Sequence, residues 1–252
     1  MRGPHNILRL IRTGATLERT GAMPVILNAL DAPKTIKFAA RIIVWPFQFL
    51  GRKGDKSLLP APRALTAMGP AYIKFGQILS TRPDVVGPEL AKQLRVLQDR
   101  LPPFSTSVAK QSFKLETGLD ADDVFSHFSE PVAAASIAQV HRGQLRESGH
   151  SVAIKVLRPE IERAFQRDID TFYFAARLLE FVSAKSRRLK PIDVITHFDG
   201  VVQGELDLRL ESASASEFLA NIRNDKGFSV PSINWSLSSR RVMTLDWADG
   251  LP

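Results

Sequence analysis

The hydrophobic and polar positions of the first half of the chain follow a helical period. From Arg63 to about Phe128, apolar residues recur every three or four positions, which predicts helices throughout. Two of these helices are predicted over Ala71 to Leu79 and Pro88 to Gln98. Ser105 is the expected N-cap of a third helix, because its hydroxyl can accept a hydrogen bond from a free backbone N–H.

The pattern changes after Pro131. The segments Val132 to Leu145 and Ser151 to Leu157 are short and rich in small or β-branched residues, and a turn-like Glu-Ser-Gly at 147–149 separates them, which predicts a hairpin. Downstream the pattern predicts two helices and then two short strands: a helix after Pro159 to Ser186, a helix over about Pro191 to Arg223, and strands near Phe228 to Ile233 and Arg241 to Asp246.

This order of elements predicts an α+β fold with an antiparallel sheet and an N-terminal helical extension. We divide the chain into a short, basic and helical extension at 1–60, a helical segment at 61–130 and an α+β lobe at 131–252. Because the sequence stops a few residues after the last predicted strand, we expect it to be a fragment of a longer protein.

The net charge of +8 belongs almost entirely to the first segment. Residues 1–60 hold ten Lys and Arg against three Asp and Glu, a net charge of +7, whereas the other 192 residues carry 24 against 23. The basic residues of this segment are interleaved along the chain with the apolar residues Ile42, Ile43, Val44, Trp45 and Phe47, which fits a helix lying on an anionic membrane. Nucleic-acid binding is disfavoured, because the remaining chain is nearly neutral and has no basic or stacking-rich groove pattern.

Several kinds of site are excluded by composition. The chain has no cysteine, so disulfides, thiolate zinc sites and cysteine nucleophiles are excluded, and its five histidines lack metal-ligand spacing. The most apolar window, Ile42 to Leu50, is far shorter than the ~20 residues that span a bilayer. We therefore expect no membrane crossing within this sequence, although its Arg-rich start also resembles an organelle transit peptide.

The first candidate for chemistry is Lys155, which ends the strand Val-Ala-Ile-Lys at 152–155. Protein kinases carry such a lysine on their third strand, where it contacts nucleotide phosphates and a helix glutamate holds it. Alone the motif is weak, because a lysine at a strand end is usually solvated. Glu205, Asp207 and Glu211 follow on a predicted helix. At about 100° per residue, Glu205 and Glu211 lie about 120° apart and would address different partners, whereas Asp207 and Glu211 share a face at a spacing of four residues. The alternative is a solvated face with salt bridges.

Two further motifs accompany this lysine. The first is an alanine-rich run at 131–141, which precedes the lysine strand. The glycine-rich phosphate-binding motifs G-x-G-x-x-G and G-x-x-x-x-G-K-[ST] do not occur, and the alanines would form a stiffer cover over phosphates than glycines do. Upstream, Lys74-Phe75-Gly76-Gln77 lies within a helical pattern that places Lys74 and Gln77 on one face. A glycine in mid-helix costs ~1 kcal/mol relative to alanine, unless something packs closely against it.

Together, the Lys74 to Gln77 motif with Arg82-Pro83-Asp84, the alanine-rich loop, the Val-Ala-Ile-Lys strand, Glu205-x-Asp207 and Leu245-Asp246-Trp247 resemble the UbiB family of atypical kinase-like proteins. The resemblance implies a protein-kinase-like N-lobe that runs up to the hinge, preceded by a Lys-x-Gly-Gln helical extension, with the C-lobe largely absent. It implies that Lys155 contacts ATP and pairs with Glu211, and that Lys74 pairs with Glu205, supported by Gln77 and Asp207. It further implies ATP contacts at Ala133, Ala134, Ala135, Ser136, Val140, Lys155, Asp246, Trp247 and Ala248. Family members more often carry Glu where Asp246 stands.

The function implied by the resemblance is that of an ATPase or unorthodox kinase supporting ubiquinone (coenzyme Q) biosynthesis at a membrane. Mg²⁺ is expected as a second cofactor, but its ligands would follow residue 252, so we expect no metal ligands here and no activity from this chain alone. Protein phosphorylation is disfavoured, because the helical extension would cover the substrate face.

The expected partners are an anionic membrane surface and quinone-biosynthesis proteins or lipid precursors. The expected location is the cytoplasmic face of a bacterial inner membrane, with a mitochondrial membrane as the alternative. A second interpretation is a non-catalytic scaffold for quinone-biosynthesis enzymes that responds to ATP or lipid. A flavin-dependent hydroxylase has no support without G-x-G-x-x-G.

Overall fold

The computed structural model describes residues 5–29, 32–97, 102–182, 187–188 and 190–249. The chain forms two compact units: Met1–Gln98 with Arg163–Asp199, and Asp99–Glu162 with Gly200–Pro252. The described residues combine many helices with one antiparallel sheet, so the predicted α+β class is confirmed. Within these ranges, no helix is both long and apolar enough to cross a bilayer.

The first unit is helical. Its elements are α1 (His5–Thr20), α2 (Ala22–Ala29), α3 (Lys34–Val44), a 3₁₀ helix (Trp45–Leu50), α4 (Pro60–Met68), α5 (Pro70–Ser80), α6 (Pro83–Val86) and α7 (Pro88–Leu94), with most of α10 (Ile161–Val182) and α11 (Pro191–Glu205). Five of these helices, α4 to α7 and α11, begin with proline, whose missing N–H would have no partner in a first turn. The predicted helices at 71–79 and 88–98 correspond to α5 and to α7, which ends at Leu94.

The core of the first unit is built around the α5 motif residues. Tyr72 and Phe75 pack against Phe172 with ring centroids 4.7 and 5.3 Å apart, and Phe75 lies 5.2 Å from Phe198. A Cβ atom on Gly76 would lie 2.4 Å from a methyl carbon of Leu97. The close packing that a glycine in mid-helix predicts is therefore present.

The second unit is a four-stranded antiparallel sheet with helices. The strands lie in the order β1 (Phe125–Ala134), β2 (Ala138–Leu145), β3 (Ser151–Leu157) and β4 (Val242–Asp246). Its core includes Phe113, Phe125, Ile154, Val156 and Val242. The other elements are α8 (Thr106–Thr117), α9 (Ala121–Val124), α12 (Leu208–Asn221) and a 3₁₀ helix (Trp235–Leu237). The predicted hairpin corresponds to β2 and β3.

The prediction of helix up to Phe128 is wrong, because β1 already begins at Phe125. Irregular pairing with β2 between Phe125 and His127 brings Phe125 and Phe128 to the same core, with ring centroids 5.6 Å apart. A spacing of three apolar residues is typical of a helix, and here a bulged strand produces it.

Three other element boundaries differ from the prediction. The strand expected at Phe228 to Ile233 is reduced to one bridge between Ile233 and Leu245. The helix expected from Pro191 to Arg223 is divided into α11 and α12, because Asp207 leaves helical geometry and caps α12. The end of the helix expected at Ser186 lies outside the described residues, since α10 is described up to Val182.

Ser105 precedes α8 as predicted, but its hydroxyl group has a different partner from the one expected. It makes no capping bond to the helix backbone, and its oxygen lies 3.0 Å from the hydroxyl oxygen of Ser107. The preference of serine for helix starts therefore predicted where α8 begins, but not the hydrogen bond that the Ser105 hydroxyl makes.

Candidate functional site

Strand β3 sets the direction of the Lys155 side chain. Val152, Ile154 and Val156 are buried in the core of the second unit, with at most 1% of each exposed. Because side chains alternate along a strand, Lys155 lies on the opposite face of the sheet. The apolar alternation of the sequence thus directs one ammonium group away from the core.

Helix α12 provides the partner of this lysine. Asp207 caps the helix by accepting a hydrogen bond from the N–H of Arg209 at 3.1 Å, and Leu208 and Ser212 are fully buried. Glu211 lies in the same first turns, three residues after Leu208, so it flanks the buried side of the helix. Its two carboxylate oxygens each accept a hydrogen bond from Lys155 Nζ at 2.7 Å.

The Lys155–Glu211 pair is partly open to solvent. The lysine side chain is 25% exposed and the glutamate side chain is 49% exposed. An ion pair with this exposure contributes little to folding stability, in the range of about 0–1 kcal/mol. The arrangement holds a cation at the sheet surface where a ligand can reach it.

A cross-strand row places Lys155 among residues from all four strands. Ala133 pairs with Val140, Val140 with Lys155, and Lys155 with Met243. Residues that pair directly across antiparallel strands project from the same face, so these four side chains line one surface. Met243 and its place in this row were missed by sequence reasoning, because the register between β3 and β4 leaves no local signal in the sequence.

The loop between β1 and β2 is held by an arginine from the end of β3. Arg158 donates from Nε and Nη2 to the carbonyl oxygen of Ala135, both at 3.1 Å. The N–H of Ala135 donates to the carbonyl of Ala138 at 2.8 Å, which closes a tight turn. Ala133 is exposed, whereas Ser136 is buried at 3% exposure. Sequence reasoning missed Arg158, whose position before Pro159 suggested only a helix start.

Two buried polar side chains support the same loop from the core face of β2. Gln139 exchanges hydrogen bonds with the backbone of Phe104, at 3.0 and 3.1 Å. His141 Nδ1 lies 2.8 Å from the carbonyl of Ser129 and must donate to it, which leaves Nε2 to accept from Gln139 at 2.8 Å. Burial lowers the pKa of His141, in keeping with this neutral form.

The end of β4 carries the three residues predicted as the hinge. The N–H of Asp246 donates to Ser232 at 2.9 Å and the N–H of Trp247 donates to Ser151 at 3.0 Å. The guanidinium of Arg142 lies 4.9 Å from the ring centre of Trp247. Ala248 is exposed. Two of the three hinge N–H groups are therefore engaged by the protein itself, and the segment is anchored to β3.

The four residues of the predicted Lys-x-Gly-Gln network lie on several elements. Lys74 and Gln77 belong to α5, where Gln77 Nε2 donates to the carbonyl of Leu97 at 2.8 Å. Glu205 is the last residue of α11, and Asp207 caps α12. Arg209 donates to both oxygens of Asp207, and these hydrogen bonds hold the pKa of that carboxyl below its usual range. The interpretation that Asp207 and Glu211 share a helix face is wrong, because Asp207 precedes the helix.

No group of three or more His, Asp or Glu side chains that could hold a metal ion occurs in the described part of the chain. The acidic residues near Lys155 are instead engaged with arginine and lysine side chains. The charged group that the described site presents is the Lys155 ammonium, with the apolar residue Val140 paired beside it on β2.

Comparison with known proteins finds kinase-like relatives of this chain. The family profile of the ABC1 atypical kinase-like domain matches residues 96–252. A Marinobacter nauticus protein named "Probable protein kinase UbiB" is 38% identical over 234 residues, which is 91% of this chain and 42% of the relative. An Aliivibrio fischeri protein of the same name is 40% identical over 189 residues, 75% of this chain and 35% of the relative.

A solved structure of Rv3197 from Mycobacterium tuberculosis with erythromycin is 25% identical, covers 73% of this chain and 46% of that chain, and has a TM-score of 0.45. The chain spans about two fifths of the length of the curated relatives it matches. The profile match covers more than half of the chain and includes Lys155, Glu211 and all four strands. The chain therefore belongs to the ABC1 atypical kinase-like family.

Proposed function

We propose that this chain is the ATP-binding portion of an atypical kinase or ATPase that supports ubiquinone biosynthesis at a membrane. The observation that carries the proposal is the Lys155–Glu211 ion pair on the open face of the sheet. In kinase-like proteins a lysine held in this way contacts the nucleotide phosphates, and the glutamate fixes its position.

The surface around the pair suits a nucleotide. Val140, which flanks Lys155 in the cross-strand row, offers an apolar contact for a flat base, while Lys155 offers charge to the phosphates. The alanine-rich turn adjoins the same row through Ala133. Adenine would lie towards Asp246, Trp247 and Ala248 at the end of β4, and the triphosphate towards Lys155.

The cover over the phosphates differs from a glycine-rich loop. Ala135 is fixed by its own turn and by two hydrogen bonds from Arg158. Alanine does not readily adopt the positive φ angles open to glycine, so this loop has fewer conformations available. A stiffer loop suits slow, regulated turnover better than rapid exchange of nucleotide.

Bound Mg²⁺ would neutralise phosphate charge, and we propose that its ligands follow residue 252.

The pathway is proposed from the resemblance of five motifs and from relatives named "Probable protein kinase UbiB". We propose quinone-biosynthesis proteins or lipid precursors as the partners of the whole protein. Substrate and reaction are assigned to that whole protein, because this chain covers 42% of its Marinobacter nauticus relative.

Membrane association is proposed from an exposed apolar surface in the first unit. Phe38, Trp45 and Phe49 on α3 and the following 3₁₀ helix are 68%, 71% and 74% exposed, and Ile42 and Ile43 are also exposed. The basic residues Lys34, Lys37 and Arg41 lie on α3 with them. Apolar side chains beside basic ones favour binding to anionic lipid, and we propose the cytoplasmic face of a bacterial inner membrane as the location.

Nucleotide binding is tested by calorimetry and thermal unfolding of the chain with ATP and ADP. We expect both nucleotides to raise the melting temperature, and Lys155→Ala to abolish the shift. Lys226→Ala, which removes an exposed lysine elsewhere in the second unit, should leave it unchanged. A chain that shows no binding of either nucleotide, or equal loss in the two variants, contradicts the proposal.

Membrane association is tested by sedimentation with phosphatidylcholine vesicles that contain or lack phosphatidylglycerol. The double variant Phe38→Ser/Trp45→Ser should lose binding to the anionic vesicles. Phe228→Ser, at an exposed phenylalanine of the second unit, is the matched control. Binding that is equal for wild type and the double variant contradicts the membrane role of this surface without affecting the nucleotide proposal.

A further inference from the structure

The first unit contains a cavity of about 240 Å³ that is separate from the Lys155 site. Its walls come from α1, α5 and α10, from the end of α4, and from the segment after the 3₁₀ helix. The lining residues are Arg9, Arg12, Thr13, Thr16, Arg52, Met68, Tyr72, Arg167 and Asp168.

The helical period brings the polar lining together. Arg12 and Thr13 lie three and four residues after Arg9 on α1, and Thr16 lies four and three residues after them, so the four side chains form a single stripe on that helix. Tyr72 is buried and its hydroxyl lies 2.8 Å from that of Thr13. The cavity therefore has a polar wall on α1 and a buried phenol beside it.

Three of the four arginines donate hydrogen bonds to backbone carbonyls, among them Arg167, which donates from Nε to the carbonyl of Arg163 at 3.1 Å. Arg9 donates from Nη1 to the carbonyl of Arg167 at 3.0 Å, and Arg52 donates from Nη1 to the carbonyl of Ala67 at 2.6 Å. A guanidinium has five N–H donors in a fixed plane, so each still has donors for a ligand. The backbone contacts thus hold charged groups at the cavity wall before any ligand arrives.

The side chains that line the cavity carry more positive than negative charge. Four guanidinium groups face one carboxyl group, that of Asp168, which gives a surplus of three positive charges when Asp168 is ionised. Burial raises the pKa of Asp168 to about 6, even though Arg9, Arg167 and Arg52 act to lower it. One partly desolvated carboxylate cannot neutralise four cations, and gathering like charges is unfavourable without a counter-ion.

We propose that this cavity binds a phosphate monoester group, either in a soluble metabolite or as the headgroup of a lipid. A phosphate monoester carries close to two negative charges at neutral pH and several acceptor oxygens, which match the surplus charge and the planar forks of the arginines. The proposal is independent of ATP binding at Lys155, because all lining residues belong to the first unit.

The test is calorimetric titration of the chain at near-neutral pH with inorganic phosphate, with glycerol 3-phosphate and with phosphatidylcholine vesicles containing phosphatidate. The cavity variant is Arg12→Gln/Arg167→Gln. The control is Arg95→Gln/Arg177→Gln, which removes the same charge from exposed positions of α7's end and of α10. We expect the cavity variant to weaken binding at least about tenfold and the control to change it less than about twofold.

A third variant, Asp168→Asn, should strengthen phosphate binding, in contrast to the cavity variant. It removes the one negative charge of the lining, so phosphate affinity should rise by about fivefold, whereas a variant that merely damaged the fold would lower it. Binding of the soluble phosphates with this pattern assigns a metabolite, and binding of phosphatidate vesicles alone assigns a lipid headgroup. Absence of binding by the wild-type chain, or equal loss in the cavity and control variants, overturns the proposal.

Discussion

The ammonium of Lys155 lies 2.7 Å from both carboxylate oxygens of Glu211, although 56 positions separate the two residues. The position of the lysine depends on strand alternation in β3, and that of the glutamate depends on the cap of α12 by Asp207. The strand and the helix cap are local features of the sequence, and tertiary packing brings the two side chains together. Because the pair is partly solvated, it orients the Lys155 side chain but contributes little to the free energy of folding.

Glu211→Gln should weaken ATP binding while leaving stability nearly unchanged. The amide keeps the shape of the side chain but loses the charge that holds Lys155, so we expect an affinity loss of about tenfold. The free energy of unfolding should change by less than about 1 kcal/mol. Calorimetry with ATP and urea unfolding measure the two quantities.

Glu217→Gln is the matched control for this variant, since Glu217 is exposed on the same helix. It should leave both ATP affinity and stability unchanged. An unaltered ATP affinity in Glu211→Gln would show that the ion pair has no part in nucleotide binding.

The sequence predicted elements best where local signals agreed with packing. The strand over Ser151 to Leu157 was predicted with both boundaries, because its apolar alternation and flanking turns point to one state. The start of β1 was missed, since a bulge gives Phe125 and Phe128 a helical spacing. The break before α12 was missed because Asp207 caps a helix within a segment whose helical period continues across it.

The residues of the candidate site likewise fall into those that the sequence predicted and those that it did not. Lys155 and Glu211 could be named from residue type and order, because each belongs to a short motif. Met243 could not, since its place beside Lys155 depends on strand register, and Arg158 could not, since it acts through a carbonyl 23 positions away. The arginine cavity was also missed, because it combines side chains from α1 and α10, which lie far apart in the sequence.

Gln139→Leu should destabilise the second unit by about 2 kcal/mol or more. The change leaves the N–H and carbonyl of Phe104 and the Nε2 of His141 without their partner in a buried place, and such unsatisfied groups cost about 1–3 kcal/mol each. Urea unfolding monitored by circular dichroism measures the loss.

The control for this variant is Gln144→Leu, at an exposed position of the same strand. We expect a change within about 0.5 kcal/mol there. Equal effects of the two substitutions would mean that the buried network around His141 does not stabilise the fold.

Asp168→Asn should stabilise the chain at neutral pH, and the gain should shrink in acid. Asp168 lies in the cavity with Arg9, Arg12, Arg52, Arg167 and Tyr72, and burial raises its pKa from 3.8 to about 6. Above pH 6 the carboxyl is ionised in both states, so the folded state bears the full cost of burying the charge. As the pH falls from about 6 towards 3.8, the folded state binds a proton before the unfolded state does, and stability rises.

The variant should therefore melt a few degrees higher than wild type at about pH 7.5, and the difference should be smaller at about pH 4.5. Asp225→Asn, at an exposed aspartate, should show no such dependence. A melting-temperature difference that stays constant between the two pH values would exclude a buried, titrating Asp168.

Gly51→Ala should destabilise the first unit, whereas Gly200→Ala should not. A Cβ atom on Gly51 would lie 2.4 Å from the carbonyl oxygen of Ala15 and 2.9 Å from the nitrogen of Thr16, and helix backbone cannot move aside as a flexible side chain can. We expect a loss of about 2 kcal/mol. A Cβ atom on Gly200, within α11, would meet no atom within 4 Å, so alanine there should add about 0.5–1 kcal/mol through helix propensity. Thermal unfolding of both variants measures the contrast; a Gly51→Ala chain as stable as wild type would show that the 3₁₀ helix is not held against α1 at this point.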